Sequence, residues 1–211
     1  MALAGKFEKM YATRRSLLSR VKNPEDHESW TDFYDTYSRL VYSVAMKAGL
    51  TNTEAEEVVQ ETFIALTRKM PKFKYDPSIG SFKNWLIKTT QFKVGDQFRK
   101  RKRQQAAGTA RGERSEKRTA TIDRIPDPAS LNLDEVCEEE WRELVFARAV
   151  EKLKEQVPPN QFHIFDLYVL KKWPVSKVAT ALGISSGRIY LTKHRLAQLV
   201  KREMKVLEET L

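Results

Sequence analysis

The side chains best suited to chemistry lie between Lys171 and Arg195, where basic, hydroxyl and aromatic residues follow one another closely. Such side chains can donate hydrogen bonds to phosphates and contact the edges of DNA bases. We predict a DNA-reading face here. The alternative is a helical hairpin whose charges are merely solvated. The residues of the predicted face are Lys171, Lys172, Ser185, Ser186, Arg188, Tyr190, Leu191, Lys193, His194 and Arg195.

The apolar residues of the same segment have the spacing of a helix-turn-helix. Small Ala179 allows two helices to cross closely, and Gly183 can take the positive φ that the turn requires. Either Ser185 or Ser186 can cap the second helix. The full apolar set is Val178, Ala179, Leu182, Gly183, Ile184 and Ile189.

Enzymatic chemistry has no matching pattern. The three histidines, His27, His163 and His194, are far apart, and Cys137 is the single cysteine. This spacing predicts neither a zinc site nor a disulfide, and no nucleophile or carboxylate accompanies His194. We therefore expect no catalytic site, no metal and no other cofactor, with Cys137 as a buried or linker thiol. A nucleic-acid enzyme is the alternative that this absence disfavours.

The charge balance points to polyanionic partners. The 211 residues carry a net charge of +10, and residues 99–118 alone contribute nine basic and two acidic side chains. No apolar run approaches the roughly 20 residues of a membrane span, and no signal-peptide pattern opens the sequence. We expect a cytoplasmic protein without membrane association. Residues 1–27 are interpreted as a surface extension, although Lys6 to Val21 could form an amphipathic membrane-surface helix.

Apolar periodicity predicts helices throughout, so the expected fold class is all-α. A first helix from Trp30 ends at Gly49, and a second, capped by Thr51 or Thr53, stops at Pro71. After a loop to Gly80, a third begins near Ser81 and turns Phe82, Trp85 and Leu86 inward. Further helices follow, one with Phe146, Val150, Leu153 and Val157 inward, and one over Asn160–Leu170.

The composition between Gln104 and Ser130 lacks periodicity and predicts a flexible linker between two small helical domains. The expected division is an N-terminal extension over 1–27, a first domain over 28–104, a linker over 105–138 and a second domain over 139–211. The second domain contains the helix-turn-helix. No internal repeat is visible.

The second helix carries an acidic face, made of Glu56, Glu57, Gln60 and Glu61. On pattern alone this is a solvated face, as amphipathic helices normally show. However, the chain resembles the extracytoplasmic-function sigma factors of bacterial RNA polymerase over about Glu28–Lys205. The resemblance rests on this helix, on Gly80–Leu86, on Asp96 with the basic residues after it, and on Val157–Phe162, Leu182–Ser185 and Lys193–Arg195.

The resemblance implies a promoter-specificity factor with two DNA interfaces. The acidic face would dock on core RNA polymerase, the first domain would capture the single-stranded minus-ten element, and the second would read the duplex minus-thirty-five element. An anti-sigma protein is the implied regulator. Phe92 and Tyr190 depart from the family, which often has asparagine and a basic residue there. The alternative is a stand-alone helix-turn-helix regulator that does not bind polymerase.

Strand capture requires aromatic platforms and cations along the backbone. Phe73 and Tyr75 in the predicted loop offer stacking surfaces. The predicted minus-ten contacts on and beyond the third helix are Lys88, Lys93, Gln97, Arg99, Lys100 and Arg101.

Overall fold

The computed structural model describes residues 17–72, 81–109 and 132–210, and the regular elements in these ranges are all helical. The prediction of an all-α fold with two helical domains is confirmed. The chain divides into two compact units, Met1–Trp141 and Arg142–Leu211. After a helical turn at 17–20, the helices are α1 (His27–Lys47), α2 (Asn52–Lys69), α3 (Phe82–Thr109), α4 (Leu133–Gln156), α5 (Pro159–Phe165), α6 (Val175–Leu182) and α7 (Ser186–Thr210).

Local capping sets the ends of α1 and α2. The Asp26 carboxylate accepts a hydrogen bond from the Ser29 backbone N–H and caps α1. Gly49, at φ 89°, follows the last turn. Thr51, rather than Thr53, caps α2, and its hydroxyl and the Glu54 carboxylate form a reciprocal capping box. The predicted stop at Pro71 is a 3-10 turn, Met70–Lys72.

Aromatic side chains fill the core of the first unit. The Phe33 ring lies 4.8 Å from that of Tyr37 and 5.6 Å from that of Phe82. Phe82 and Leu86 are fully buried, as predicted, whereas Trp85 is only half-buried. The α1, α2 and α3 helices thereby share one hydrophobic centre, which fixes the outer faces of α2 and α3.

Helix α4 differs from the prediction in its inward stripe. Its buried apolar residues are Cys137, Trp141, Val145, Ala149 and Leu153, at a spacing of four. Leu153 was predicted correctly, but Phe146 is an exposed residue. The prediction was wrong because the apolar residues of this helix occupy two faces, and the acidic run around Trp141 obscured which one is buried.

The segment predicted as a linker, 105–138, is helical at both ends where the structure describes it. Helix α3 continues to Thr109, and α4 begins at Leu133, where Asn132 accepts a hydrogen bond from the Glu135 backbone N–H. Acidic Asp134 and Glu135 occupy the first turn, where carboxylates stabilise a helix. The exact domain boundaries stay a prediction.

In the second unit, α5 continues into a π-helical turn, Asp166–Leu170, so that the predicted apolar segment is helical throughout. Helices α6 and α7 then form the predicted helix-turn-helix. Its core contains Ile164, Leu167, Val178 and Ile189.

Candidate nucleic-acid interfaces

The turn of the helix-turn-helix is built around Gly183. Its φ is +62°, and the backbone N–H of Ile184 donates to the Ala179 carbonyl at 3.1 Å. Ala179, Leu182 and Ile184 pack against the core that Val178 and Ile189 occupy. All six apolar positions of the predicted motif therefore have the expected structural tasks, and α7 is held with one face free of the core.

That free face of α7 carries the predicted DNA-reading residues. Ser185, rather than Ser186, caps the helix by accepting a hydrogen bond from the Arg188 backbone N–H. Leu191 is 75% exposed and Tyr190 is 50% exposed. The exposed predicted residues on α7 are Arg188, Tyr190, Leu191, Lys193, His194 and Arg195, together with Ser186.

Contacts from α5 and the π-helical turn order part of this face. The Arg195 guanidinium donates to the Gln161 side-chain oxygen. The Tyr190 ring meets the Tyr168 ring edge-on at 5.9 Å, and Lys193 Nζ lies 5.8 Å from the Tyr168 ring centroid. Gln161 and Tyr168 were missed by the sequence reasoning. Their apolar neighbours Ile164 and Leu167 marked the segment only as core.

The predicted contacts Lys171 and Lys172 lie in the connection before α6. Lys171 Nζ forms a 2.8 Å ion pair with the Asp166 carboxylate, and Lys172 has a positive φ of 55°. Nearby, Lys177 Nζ lies 3.8 Å from the Trp173 ring centroid. Both predicted lysines are exposed, as phosphate contacts require.

In the first unit, the two predicted faces meet along the contact between α2 and α3. Lys93 Nζ lies 3.1 Å from a Glu61 carboxylate oxygen. Glu57 accepts from Lys100 Nζ at 2.5 Å and from the Gln97 amide at 3.0 Å. These hydrogen bonds lower the pKa of Glu57 below its ordinary value, with Lys100 as the largest cause.

Glu54 and Arg101 extend this row of ion pairs. The Arg101 guanidinium donates to both Glu54 carboxylate oxygens, through Nε at 2.8 Å and through an Nη. The Arg101 side chain is 16% exposed and that of Glu54 21%. Chiefly through this pairing, the pKa of Glu54 falls to about 2. Four predicted DNA contacts, Lys93, Gln97, Lys100 and Arg101, are thus engaged with α2.

A different face of α3 is open, and we call it the outer stripe. It comprises Lys88, Phe92, Gly95, Arg99 and Lys102, which recur at helical spacing. Phe92 is 62% exposed, and the Arg99 guanidinium lies 5.6 Å from its ring centroid. A Cβ at Gly95 would lie 3.4 Å from an Arg99 nitrogen, an ordinary van der Waals contact, so the Arg99 side chain runs close along the helix surface at Gly95.

Phe92 was missed as a site residue. In the sequence it is only a departure from the family, because an isolated aromatic within an unclear apolar stripe does not disclose which way it faces. Of the predicted minus-ten residues, Lys88 and Arg99 lie on the outer stripe. Phe73 and Tyr75 are outside the described residues.

The remaining predicted residues, Glu56 and Gln60, line a groove between α1 and α2 with a volume of about 540 Å³. Both are exposed, in contrast to half-buried Glu57 and Glu61. Tyr34 and Ile64 present apolar surface at the groove, being 47% and 42% exposed. The groove therefore combines apolar side chains with a carboxylate and an amide.

Within 17–72, 81–109 and 132–210, no group of three or more His, Cys, Asp or Glu side chains is arranged to hold a metal ion. Among the helices that the structure describes, none is long and apolar enough to cross a membrane.

Comparison with known proteins places these surfaces in a family context. The family described as Sigma-70 region 2 matches residues 33–104. The ECF RNA polymerase sigma factor SigX of Bacillus subtilis (strain 168) is 23% identical over 186 residues, which are 87% of this chain and 88% of that protein.

Two solved structures are similar at low identity. One is the RsbN–BldN complex, with 18% identity, a TM-score of 0.34, and coverage of 88% of this chain and 97% of that one. The other is CnrH in complex with the cytosolic domain of CnrY, with 16% identity, a TM-score of 0.36, and coverage of 90% and 96%.

Proposed function

We propose that this chain is an extracytoplasmic-function sigma factor, which binds core RNA polymerase, directs it to specific promoters and assists promoter melting. The observation that carries the proposal is the family match over 33–104, which contains both the α1–α2 groove and the outer stripe. RNA synthesis itself would remain with the polymerase. We place the protein in the cytoplasm, where that enzyme works.

We assign the polymerase contact chiefly to the α1–α2 groove. Glu56 and Gln60 are exposed there beside Tyr34 and Ile64, a mixture that suits a protein partner because apolar contacts give affinity and polar ones give register. Glu57 and Glu61 form ion pairs with α3. Their role in binding would therefore include holding α3 against α2.

Reversing the charge at Glu56 tests this assignment. We expect Glu56→Lys to weaken binding to purified core polymerase by about tenfold. Placing a charge of the same sign as the partner's surface in the interface costs on the order of 1 kcal/mol or more. Asp35→Lys, at an exposed carboxylate of α1 outside the groove lining, is the matched control. Equal binding of the two variants would count against the groove, provided that both melt at the same temperature.

We further propose that the outer stripe holds the single-stranded minus-ten element. Phe92 offers a ring on which an unstacked base can lie, and Lys88, Arg99 and Lys102 are spaced along the helix for phosphates. The Arg99 guanidinium also donates to the Asp96 carboxylate at 2.6 Å, so that a phosphate bound there would compete with this carboxylate. Lys93, Lys100 and Arg101 would act mainly by fixing α3.

The test is permanganate reactivity of promoter thymines in complexes of this protein with core polymerase. Stacking on an aromatic is worth about 1–3 kcal/mol per base, so Phe92→Ala should reduce open-complex formation by about tenfold. Phe92→Trp should retain it. Phe146→Ala, at an exposed phenylalanine of α4, serves as the control. Normal melting by Phe92→Ala would remove Phe92 from the site.

For the minus-thirty-five element we assign α7. The exposed Arg188 and Arg195 can reach base edges or phosphates, and loss of one such contact costs about 1–3 kcal/mol. Arg188→Ala should thus weaken protection of the upstream element in footprints while permanganate reactivity downstream persists on strong promoters. An equal loss at both elements would contradict this division of labour.

A stand-alone helix-turn-helix regulator is not favoured, because the family match lies in residues 33–104, a part that such a regulator does not need. Run-off transcription with purified core polymerase separates the two functions. A sigma factor makes specific initiation depend on the added chain, whereas a regulator changes the output of an already competent holoenzyme. On family membership we also propose an anti-sigma protein as regulator.

A further inference from the structure

The first turns of α4 are docked on α1 and α3 within the first unit. Trp141 is 1% exposed and stacks on Tyr37, with ring centroids 6.3 Å apart. Cys137 is fully buried, and its sulfur lies 3.7 Å from the Gln91 amide nitrogen. Residues 134–141, which we call the acidic segment, are therefore packed against α3, which carries the proposed minus-ten surface, and against α1.

The contacts of the acidic segment are mostly between carboxylates and cations. Lys47 Nζ lies 3.0 Å from Glu139 and 2.7 Å from Glu140, and Lys83 Nζ lies 2.7 Å from Glu138. The Gln91 amide donates to Asp134 at 2.8 Å. We call Lys47, Lys83 and Gln91 the covered patch. Each of its three polar groups holds a carboxylate oxygen where a phosphate oxygen could also bind.

Two of the three residues of the covered patch lie on α3, the helix that carries the outer stripe, and Lys47 lies at the end of α1. Gln91 directly precedes Phe92, and Lys83 lies five residues before Lys88, in the first turn of the helix. On a helix of about 3.6 residues per turn, Gln91 flanks the outer stripe whereas Lys83 lies on another face of α3. A strand on the outer stripe therefore reaches the covered patch first at Gln91. The patch is basic, and the segment that covers it brings five carboxylates in eight residues, Asp134, Glu135, Glu138, Glu139 and Glu140.

The docked state contains features that limit its stability. Two of the three ion pairs are partly exposed at both ends, Lys47 with Glu139 at 40% and 57% and Lys83 with Glu138 at 25% and 48%, so that water and salt weaken them. The carboxylate of Glu140, at 6%, is the buried one. The buried Trp141 indole N–H has no hydrogen-bond acceptor among the described residues. An interface with solvated ion pairs and an unpaired buried donor can be opened by a competing ligand of higher charge density.

From this geometry we propose that the acidic segment is an internal competitor of nucleic acid: it shields the covered patch by mimicking phosphates, and a single DNA strand displaces it. The proposal depends on the proposed function only in taking the promoter strand as the natural polyanion. A permanently docked α4 is the opposing structural explanation, in which residues 134–141 simply complete the core.

Cys137 provides the measurement, because it is the single cysteine of the chain and faces the docking interface. Burial raises the pKa of its thiol to about 11, so alkylation requires the segment to open. In the full-length chain, we expect iodoacetamide to react at least about tenfold more slowly than in guanidinium chloride. Saturating oligothymidylate should raise the rate at least about threefold if strand binding opens the segment.

Charge variants test the same competition through affinity. Glu138→Lys should bind oligothymidylate more tightly than Glu143→Lys by about threefold or more. Both substitutions change the net charge equally, but of these two glutamates only Glu138 contacts the covered patch. Glu138→Lys should also expose Cys137 to alkylation, and adding Lys83→Glu should restore its protection. Circular dichroism and melting temperature establish that every variant is folded.

Unchanged protection of Cys137 at saturating oligothymidylate would overturn the proposal, as would failure of the chain to bind the oligonucleotide or equal affinities of the two glutamate variants. None of these outcomes depends on core polymerase. Run-off transcription by the unmodified chain tests the proposed function separately, so the two can fail independently.

Discussion

Gly183 carries the sharpest constraint on any single residue. Its φ of +62° lies in the left-handed region, and a Cβ built there meets no atom within 4 Å. Substitution therefore costs backbone strain alone and creates no clash. The strain acts on the turn that sets α7 relative to α6, so a change at one residue reaches the whole DNA-reading face.

We predict that Gly183→Ala lowers the free energy of unfolding by about 1 kcal/mol, the cost of the left-handed conformation for a residue with a Cβ. Gly187→Ala, near the start of α7, should be neutral or slightly stabilising, because that position is equally open and has no positive φ. Urea denaturation of both variants gives the comparison. A larger loss at Gly187 would contradict the assignment of strain.

Residue patterns within one turn of helix were accessible to sequence reasoning. The glycine at the turn, the Thr51 cap and the exposed α7 residues follow from short spacings, and only the choice between Thr51 and Thr53, or between Ser185 and Ser186, required the structure. Arg101 could not be assigned to Glu54 in the same way, because 47 residues separate them. A basic residue whose acidic partner lies on another helix resembles a DNA contact until that partner is known.

At the scale of elements, the row of ion pairs between α2 and α3 positions the outer stripe. Glu54 is the best shielded of its three carboxylates, and it also belongs to the capping box of α2. Glutamine at this position can preserve the capping box, since both Glu and Gln serve there. Glu54→Gln therefore removes the ion pair with Arg101 and leaves the capping box in place.

We predict that Glu54→Gln lowers the free energy of unfolding by on the order of 2 kcal/mol at pH 7, after discounting its pKa shift for partial exposure. Because the folded-state pKa of about 2 is below the unfolded value, this stability is present above about pH 4.5 and is lost as the pH falls towards 2. Urea denaturation at several pH values checks it. A difference from wild type that widened on acidification would contradict the pairing.

In the second unit, Lys152 and Glu203 join α4 to α7 through a buried ion pair of 3.2 Å, with exposures of 12% and 4%. We predict that Glu203→Ala destabilises the protein by about 3 kcal/mol, because a buried ammonium loses its carboxylate. Lys152→Met combined with Glu203→Leu should recover most of this loss. Thermal unfolding distinguishes the two, and equal destabilisation would show that packing, rather than charge, dominates at this contact.

Element identity was predictable, but the inward face of α4 was not. Its buried stripe runs through Trp141, Val145 and Ala149, whereas the sequence favoured Phe146 because a large apolar residue normally lies inside. The acidic neighbours of Trp141 suggested a solvated segment. Their lysine partners lie on α1 and α3, and such tertiary pairing cannot be seen in the local pattern.

For the whole molecule, the acidic segment changes how the chain should be divided experimentally. A cut after residue 131 is natural from the sequence, since it follows the aperiodic stretch Gln104–Ser130. In the structure, however, Trp141 and Cys137 contribute to the first unit. A fragment of residues 1–131 therefore loses part of the core as well as the second domain, whereas a fragment of residues 1–156 keeps the acidic segment.

We predict that the 1–131 fragment is less stable than the 1–156 fragment by about 2 kcal/mol or more, because it lacks Trp141 and Cys137 and exposes the apolar surface that they cover. The shorter fragment should nevertheless bind oligothymidylate more tightly, because its covered patch is open to phosphates. Urea denaturation and fluorescence anisotropy measure the two effects on the same samples. Tighter binding of the 1–131 fragment together with its lower stability would show that the acidic segment shields the covered patch. If the segment only completed the core, its removal would lower both the stability and the affinity for oligothymidylate.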